Sequence, residues 1–426
     1  MKELRNNAKI FRIIYGSFFI DRFYLYVLKC IIRSLWEESK DMYYKDPNEF
    51  WGTDSEKIQS AVAEAKKSGI NKVVIPPFNK ERGENKWVIE KAIKLPSDIS
   101  IVIDNAYMVM ADGVFENMFI NENLRTDEGR KKSGTQKNIS IEGIGNAVLS
   151  GGNYNGLSEA VSGTGDYPHV SYNNMILFAG VDSFTVKNLK VKKQRWWALN
   201  FLYCKNGYIG NIDFEADFTW DWPDGVSREE APVGDDYIEY KTIHVKNADG
   251  IDLRCGCSNI IIENITGYTE DDSVALTAVR GGTEELYRVE DESDFDIHNV
   301  IIRNIMTKTL CSNVRLLNQG GTKMYNILID GVYDASFEEK YRNETNKVNI
   351  GHGVQIGDTY NYGSRQNTPE ETYNITVRNV FSRARLKLEV SGGLSDSLIE
   401  NIKSFDKKEG RCDFSHADLV RVTINE

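Results

Sequence analysis

Three aspartates stand where two short strands begin. Asn247-Ala248-Asp249-Gly250-Ile251-Asp252-Leu253 and Glu270-Asp271-Asp272-Ser273-Val274-Ala275-Leu276-Thr277 are each an acidic turn running into alternating apolar residues. With Ile251 beside Val274 and Leu253 beside Leu276, Asp249 falls beside Asp272, and Asp271 lies next to them. Parallel neighbours lie ~4.8 Å apart, close enough for such carboxylates to repel as anions, and the repulsion raises a carboxyl pKa. A carboxyl that keeps its proton beside one that has lost its own is the pairing that general acid–base catalysis needs. Asp271 and Asp272 are adjacent and would face opposite sides of an extended strand. Both reach one cleft only from the turn before Ser273. A solvated acidic turn and a calcium site are the competing readings of the same residues.

That alignment needs a scaffold that stacks short strands in parallel, and the sequence carries one. From about residue 137 a motif recurs in which Asn, or another small polar residue, opens a strand of alternating apolar residues and Asn or Gly follows five positions later. It is seen at Asn138 to Gly143, Ser183 to Asn188, Asn206 to Asn211, Asn259 to Asn264, Asn299 to Asn304, Asn326 to Gly331 and Asn374 to Asn379. Successive copies come as close as 23 residues (183 to 206) and 27 residues (299 to 326). A repeat of this length, with polar corners and no intervening helices, indicates a solenoid of strands, a parallel β-helix. Asn suits its corners because it tolerates left-handed backbone, and stacked Asn side chains bond to one another. A sandwich or propeller would show recurrent short hairpin signals, which are absent.

Ahead of the repeat, Ile58, Val62 and Ala65 recur at helical spacing, with Thr53 or Asp54 as cap, and Gly69 ends the helix. Short strands follow at Val73-Val74-Ile75, Trp87 to Ile89, Ile99 to Asp104 and Tyr107 to Met110. Residues 1–45 read as an amphipathic helical extension, suited to packing on the body, to oligomerisation or to membrane-surface contact. Arg12, Asp21, Arg22, Lys29 and Arg33 interrupt its apolar run, so it does not reach the ~18 apolar residues of a membrane span. No small-residue cleavage site follows it, and a cytoplasmic location is expected. The net charge of −11 argues against nucleic acid as a partner. The six cysteines show no disulfide spacing; small buried residues in a reducing compartment are expected, and Cys255-Gly256-Cys257 lacks the second pair of a zinc site. Insertions carry aromatic residues, among them Trp222, Tyr237, Tyr240, Tyr287, Tyr360 and Tyr362, on what a solenoid would make its binding face.

Four segments, in order, resemble the signature segments of the polygalacturonase family of glycoside hydrolases, part of the pectin-degrading right-handed β-helix superfamily. They are Asn247-x-Asp249-Gly250-x-Asp252, Asp271-Asp272, Gly351-His352-Gly353-x-x-Ile356-Gly357 and Arg385-x-Lys387. The Thr53-Asp54 helix followed by the Val73 strand resembles that superfamily's N-terminal cap, and the resemblance spans about residues 50 to 410. It implies inverting hydrolysis of a glycosidic bond without a cofactor or metal. Asp271 would be the general acid and Asp249 and Asp272 would activate water. His352, Arg385 and Lys387 would match the supporting histidine and the substrate-binding pair.

The register also predicts a departure from that family. With Val314 beside Val274, Ser312 occupies the column of Asp249 and Asp272 on the coil where the family carries its histidine. His352 arrives one coil later, ~10 Å from Asp272 at the strand spacing, and Arg385 and Lys387 are displaced with it. Arg315 points outward one coil from the carboxylates, where a cation would meet substrate. Asn247, Trp197 and, beside the latter, Arg195 and Trp196 are further candidate contacts. The sequence therefore predicts an all-β, right-handed parallel β-helix, with residues 1–45 as an extension and 46–426 as one catalytic domain. The expected function is a glycoside hydrolase acting on a glycan or oligosaccharide, uronate-containing ones included. A lyase or epimerase on the same fold and a non-catalytic glycan-binding β-helix are the alternatives.

Overall fold

The computed structural model describes residues 43–153, 155, 157, 162–165, 168–216, 220–221, 227–228, 249–287, 295–337, 351–357, 365–404 and 410–425. Nearly all of residues 1–45, together with Asn247, Trp222, Tyr237, Tyr240, Tyr360 and Tyr362, lie outside them.

The chain begins its solenoid with a capped helix. Thr53 and Glu56 form a reciprocal capping box at the start of Asp54–Lys67, and Ile58, Ala61, Val62 and Ala65 bury one face over the first coil. Gly69, at φ +70°, turns the chain away after the helix, a backbone geometry that favours glycine. The strand Lys72–Ile75 then opens the first coil. The short strands expected at Trp87–Ile89, Ile99–Asp104 and Tyr107–Met110 are all present.

Two long parallel stacks run the length of the molecule. The first passes through Ile99–Asp104, Gln136–Ile144, Val181–Lys192, Lys205–Glu215, Ser258–Tyr268, Ile297–Lys308, Met324–Asp334, Thr372–Ser382 and Leu398–Ser404. Its inward column is Ile101, Ile141, Val186, Ile209, Ile262, Ile302, Ile329, Val377 and Ile399, each at most 1% exposed. Burial of each such side chain contributes about 1.5–3 kcal/mol relative to exposure. The second stack, which carries the site, passes through Ile176–Ala179, Trp197–Leu202, Asp249–Arg254, Val274–Ala278, Ser312–Asn318, His352–Ile356, Leu386–Ser395 and Arg411–Val420. Every pairing within these two stacks is parallel.

The polar corners explain the repeat. Asn206, Asn211, Asn259, Asn264, Asn299, Asn304, Asn326, Asn374 and Asn379 all have φ between 53° and 57°. Their side chains form two ladders. Asn374 donates to Asn326, Asn326 to Asn299, Asn299 to Asn259 and Asn259 to Asn206, at 2.6–3.1 Å. Five residues along, Asn304 donates to Asn264, Asn264 to Asn211 and Asn211 to Asn188, at 2.8–3.1 Å. The five-residue spacing is thus the distance between two corners of one coil, and the ladders hold successive coils in register. Cys204, Cys255 and Cys257 are buried and unbridged, as expected of small core residues. Among the described residues no helix is long and apolar enough to cross a membrane.

Candidate active site

Asp249 and Asp272 lie at the start of neighbouring strands because Ile251 pairs with Val274 and Leu253 with Leu276. Gly250 N–H donates to Asp272 O at 2.9 Å and Ile251 N–H to Ser273 O at 3.1 Å, so the two acidic turns are stitched together by main chain. Gly250 is required there: a Cβ would stand 2.4 Å from Ser273 O. Asp271 and Asp272 precede the strand Val274–Ala278 and lie in its entry turn, which frees both side chains from strand alternation. Two hydroxyls hold that turn: Thr269 Oγ1, at 2.8 Å, and Thr309 Oγ1 both donate to Asp271 O.

The carboxylates differ in environment. Asp249 is 4% exposed, and burial, then the charges of Asp252, Asp271 and Asp272, push its pKa well up. Burial, then the neighbouring Asp272 charge, raises Asp271 to about 6, against a hydrogen bond with the Cys311 thiol and the charge of Arg315. Asp272 is 2% exposed and accepts from two donors, Ser312 N–H on Oδ1 at 3.0 Å and Arg315 Nη1 on Oδ2 at 3.4 Å. The neighbouring carboxyls thus differ in their partners: Asp271 faces a thiol and Asp272 faces a guanidinium and a main-chain N–H.

Arg315 faces outward one coil from the carboxylates, as the register implies. Its neighbours Val314 and Leu316 point into the core, and its guanidinium turns out over Asp272 from the next coil. Trp197 pairs directly with Asp249, and its indole lies under the Arg254 guanidinium, 4.1 Å from the ring centroid. Arg195 and Trp196 do not join the site. Arg195 is 2% exposed and its guanidinium bonds Asn155 Oδ1, Lys193 O and Gly152 O, closing a corner of the coil. Trp196 is buried with Leu157 and Val170. Tyr287, one of the insertion aromatics, is also buried, and its hydroxyl meets Ser171 Oγ at 3.0 Å.

The remaining expected residues lie further along the axis. His352 pairs with Ser312, and Leu386 with His352, so His352 is two coils from Asp272 while Arg385 and Lys387 lie three coils away. At ~4.8 Å per coil these are ~10 and ~14 Å. His352 Nε2 is instead 2.8 Å from Glu389 Oε2, which also accepts from Gln355 Nε2 at 3.1 Å, while Gln355 Oε1 accepts from Ser312 Oγ at 3.3 Å. The bond to His352 holds Glu389 below the usual carboxylate range.

Sequence reasoning assigned no role to four residues that shape this cleft. Asp252 is fully buried and faces away from the core, between inward Ile251 and Leu253. Arg254, two residues on, pairs with Glu284 of the short helix Gly282–Leu286, so the insertion seals that side of the site. Cys311 sits beside Asp271 just as Ser312 sits over Asp272. Strand alternation was enough to place Asp252, and the register was enough to place Cys311. Nothing in the sequence tied Glu284 to Arg254.

Residues 114–307, which include the carboxylate turns, match the family model described as glycosyl hydrolases family 28. That segment is similar to the family, and the chain around it has a parallel β-helix fold. The chain as a whole compares distantly with solved structures of polygalacturonase-like and other β-helix proteins. It is similar to the polygalacturonase of Erwinia carotovora ssp. carotovora at 14% identity and TM-score 0.48, over 87% of this chain and 94% of that one. It is similar to the surface protein and adhesin PfbA of Streptococcus pneumoniae at 13% identity and TM-score 0.44, over 90% and 97%. It is similar to a mannuronan C-5 epimerase A-module of Azotobacter vinelandii at 11% identity and TM-score 0.40, over 90% and 99%. No curated protein matches the chain.

Proposed function

We propose that this polygalacturonase-related chain is an inverting glycoside hydrolase acting on a glycan or oligosaccharide. The observation that carries the reading is the placement of Asp249, Asp271 and Asp272 at one edge of two adjacent coils, with Asp271 raised to about 6 and Asp272 bonded by Arg315 and Ser312. In this reading Asp271 gives its proton to the glycosidic oxygen as the bond from the anomeric carbon breaks. Asp272 takes a proton from a water molecule that attacks the same carbon from the opposite face, and Asp249 beside it helps to orient that water. The sugar is released with inverted configuration, and Asp271 is reprotonated by solvent.

Arg315 and Trp197 flank the reacting centre in this scheme, and His352, Arg385 and Lys387 serve subsites further along the cleft. Asn247 belongs to the same acidic segment and is proposed as a substrate contact. An acidic glycan fits the three cations, and a neutral one fits the Glu389–Gln355 floor between them. Purified protein incubated with a panel of glycans should release new reducing ends, and proton NMR of the first product should show the inverted anomer. Retained configuration, or an unsaturated product absorbing in the ultraviolet, would replace this reading with a retaining hydrolase or a lyase. Binding without turnover would make the chain a glycan-binding β-helix.

A further inference from the structure

Asp271, Asp272 and Cys311 each present one ligand atom, and these atoms lie within 4.8 Å of one another. The register produces this: residues 311 and 312 lie one coil beyond residues 271 and 272. Two carboxylate oxygens and one sulfur form a donor set for a small thiophilic ion, whereas calcium and magnesium take oxygen alone.

A second observation stands outside that trio. Asp252 is 0% exposed, and neither of its carboxylate oxygens has a hydrogen-bond partner. It faces the cleft, since Ile251 and Leu253 face the core, and it interacts electrostatically with both Asp272 and Asp271. Its nearest cation, Arg254 Nη1 at 3.8 Å, belongs to a guanidinium already bonded to Glu284. Asp252 interacts with Asp271, Asp272 and Glu284 as well as with Arg254, and Asp249 with Asp252, Asp271 and Asp272. Carboxyls gathered this closely are costly to ionise together when buried. Protons compensate part of that in catalysis; a divalent cation compensates it directly.

We propose that Asp271, Asp272 and Cys311 form a binding site for a thiophilic divalent cation of the zinc type, with the buried carboxyl of Asp252 beside it. On binding, the Cys311 thiol releases its proton to solvent and the thiolate and two carboxylates donate lone pairs to the ion, with no change of oxidation state. Resting on the hydrolase reading, the ion is an inhibitor, because a carboxylate ligated to metal does not carry the proton that the leaving group needs.

The test uses the full chain after treatment with chelator. Titration with cadmium should raise a saturable thiolate-to-cadmium charge-transfer band in the ultraviolet, and zinc should displace it. Cys311→Ser should abolish the band, Cys412→Ser should retain it, and Asp272→Asn should weaken cadmium affinity at least about tenfold. Circular dichroism confirms that each variant is folded. Absence of the band in the parent protein, or its survival in Cys311→Ser, overturns the site. Zinc should lower turnover at least about tenfold, reversibly with chelator; zinc that binds without slowing turnover overturns the inhibitory role. Chelator-treated protein that forms the band but hydrolyses no glycan leaves the cation site standing and removes the hydrolase reading, so the two failures are distinct.

Discussion

Arg315 reaches back one coil to set its Nη1 3.4 Å from Asp272 Oδ2. The contact links a residue absent from the family's four signature segments to the carboxylate that accepts a proton in the proposed reaction. Arg315→Met keeps the stem and removes the charge. The carboxylate then loses one of its two donors and its fixed orientation, and kcat should fall about 10²-fold. Steady-state kinetics on the released-sugar assay checks this; unchanged kcat would show that Ser312 N–H alone suffices.

Asp271→Asn should lower kcat by about 10²–10⁴-fold while leaving glycan binding intact, because the amide has no proton to give. In the parent protein, assayed with chelator present, kcat should decline as pH rises through about 6, where Asp271 loses its proton. In Asp271→Asn that alkaline limb should vanish from the residual rate. Persistence of the limb would assign it to another group.

Asp252→Asn should stabilise the fold at neutral pH. Burial raises the Asp252 pKa well above its ordinary value, and Asp272 and Asp271 add to this against Arg254. The folded chain therefore binds a proton that the unfolded chain releases, and stability falls as pH rises from the ordinary aspartate range through the raised value. Removing the ionisable group removes that fall. The variant's Tm should exceed the parent's by about 1–3 °C at pH 7 and match it near about pH 3. Calorimetry at the two pH values decides the sign; a lower Tm at pH 7 would mean that the Arg254 pairing outweighs the repulsion.

Glu371 should behave in the opposite sense. The Arg365 guanidinium, with Gly321 and Thr368 N–H, lowers its pKa to about 2. Its stabilising contribution is complete above the ordinary glutamate range and is lost as pH falls toward about 2. Glu371→Gln should cost about 1–3 kcal/mol at pH 7 and little near pH 2. Urea unfolding at the two pH values measures the difference; an equal cost at both would show that the bonds do not depend on the charge.

Much of the fold was legible because the corner residues and the core residues obey different local rules. Asn at left-handed corners five residues apart and aliphatic residues on alternate positions between them mark each coil without reference to any other coil. The Ile251–Val274 and Val274–Val314 registers followed from aligning those patterns, and with them the column of Asp249, Asp272 and Ser312. The displacement of His352 by one coil was readable for the same reason.

Burial was less legible than register. Arg195 and Trp196 share the segment of Trp197 but are taken up in a corner, because the chain passes through φ +53° at Trp196 and turns both side chains from the cleft. Among the insertion aromatics, Tyr287 packs with Tyr203 and Phe295.

For the opening constellation, sequence alone determined that Asp249, Asp271 and Asp272 come together, since strand periodicity and coil register are one-dimensional properties. Tertiary structure alone decided their unequal environments. The clamp of Arg315 and Ser312 on Asp272, the thiol of Cys311 beside Asp271, the burial of Asp252 without a hydrogen bond and the Glu284–Arg254 seal arise between coils and from an insertion. Proton affinity depends on desolvation and on charges across those coils, and these quantities exist only once the chain has closed on itself.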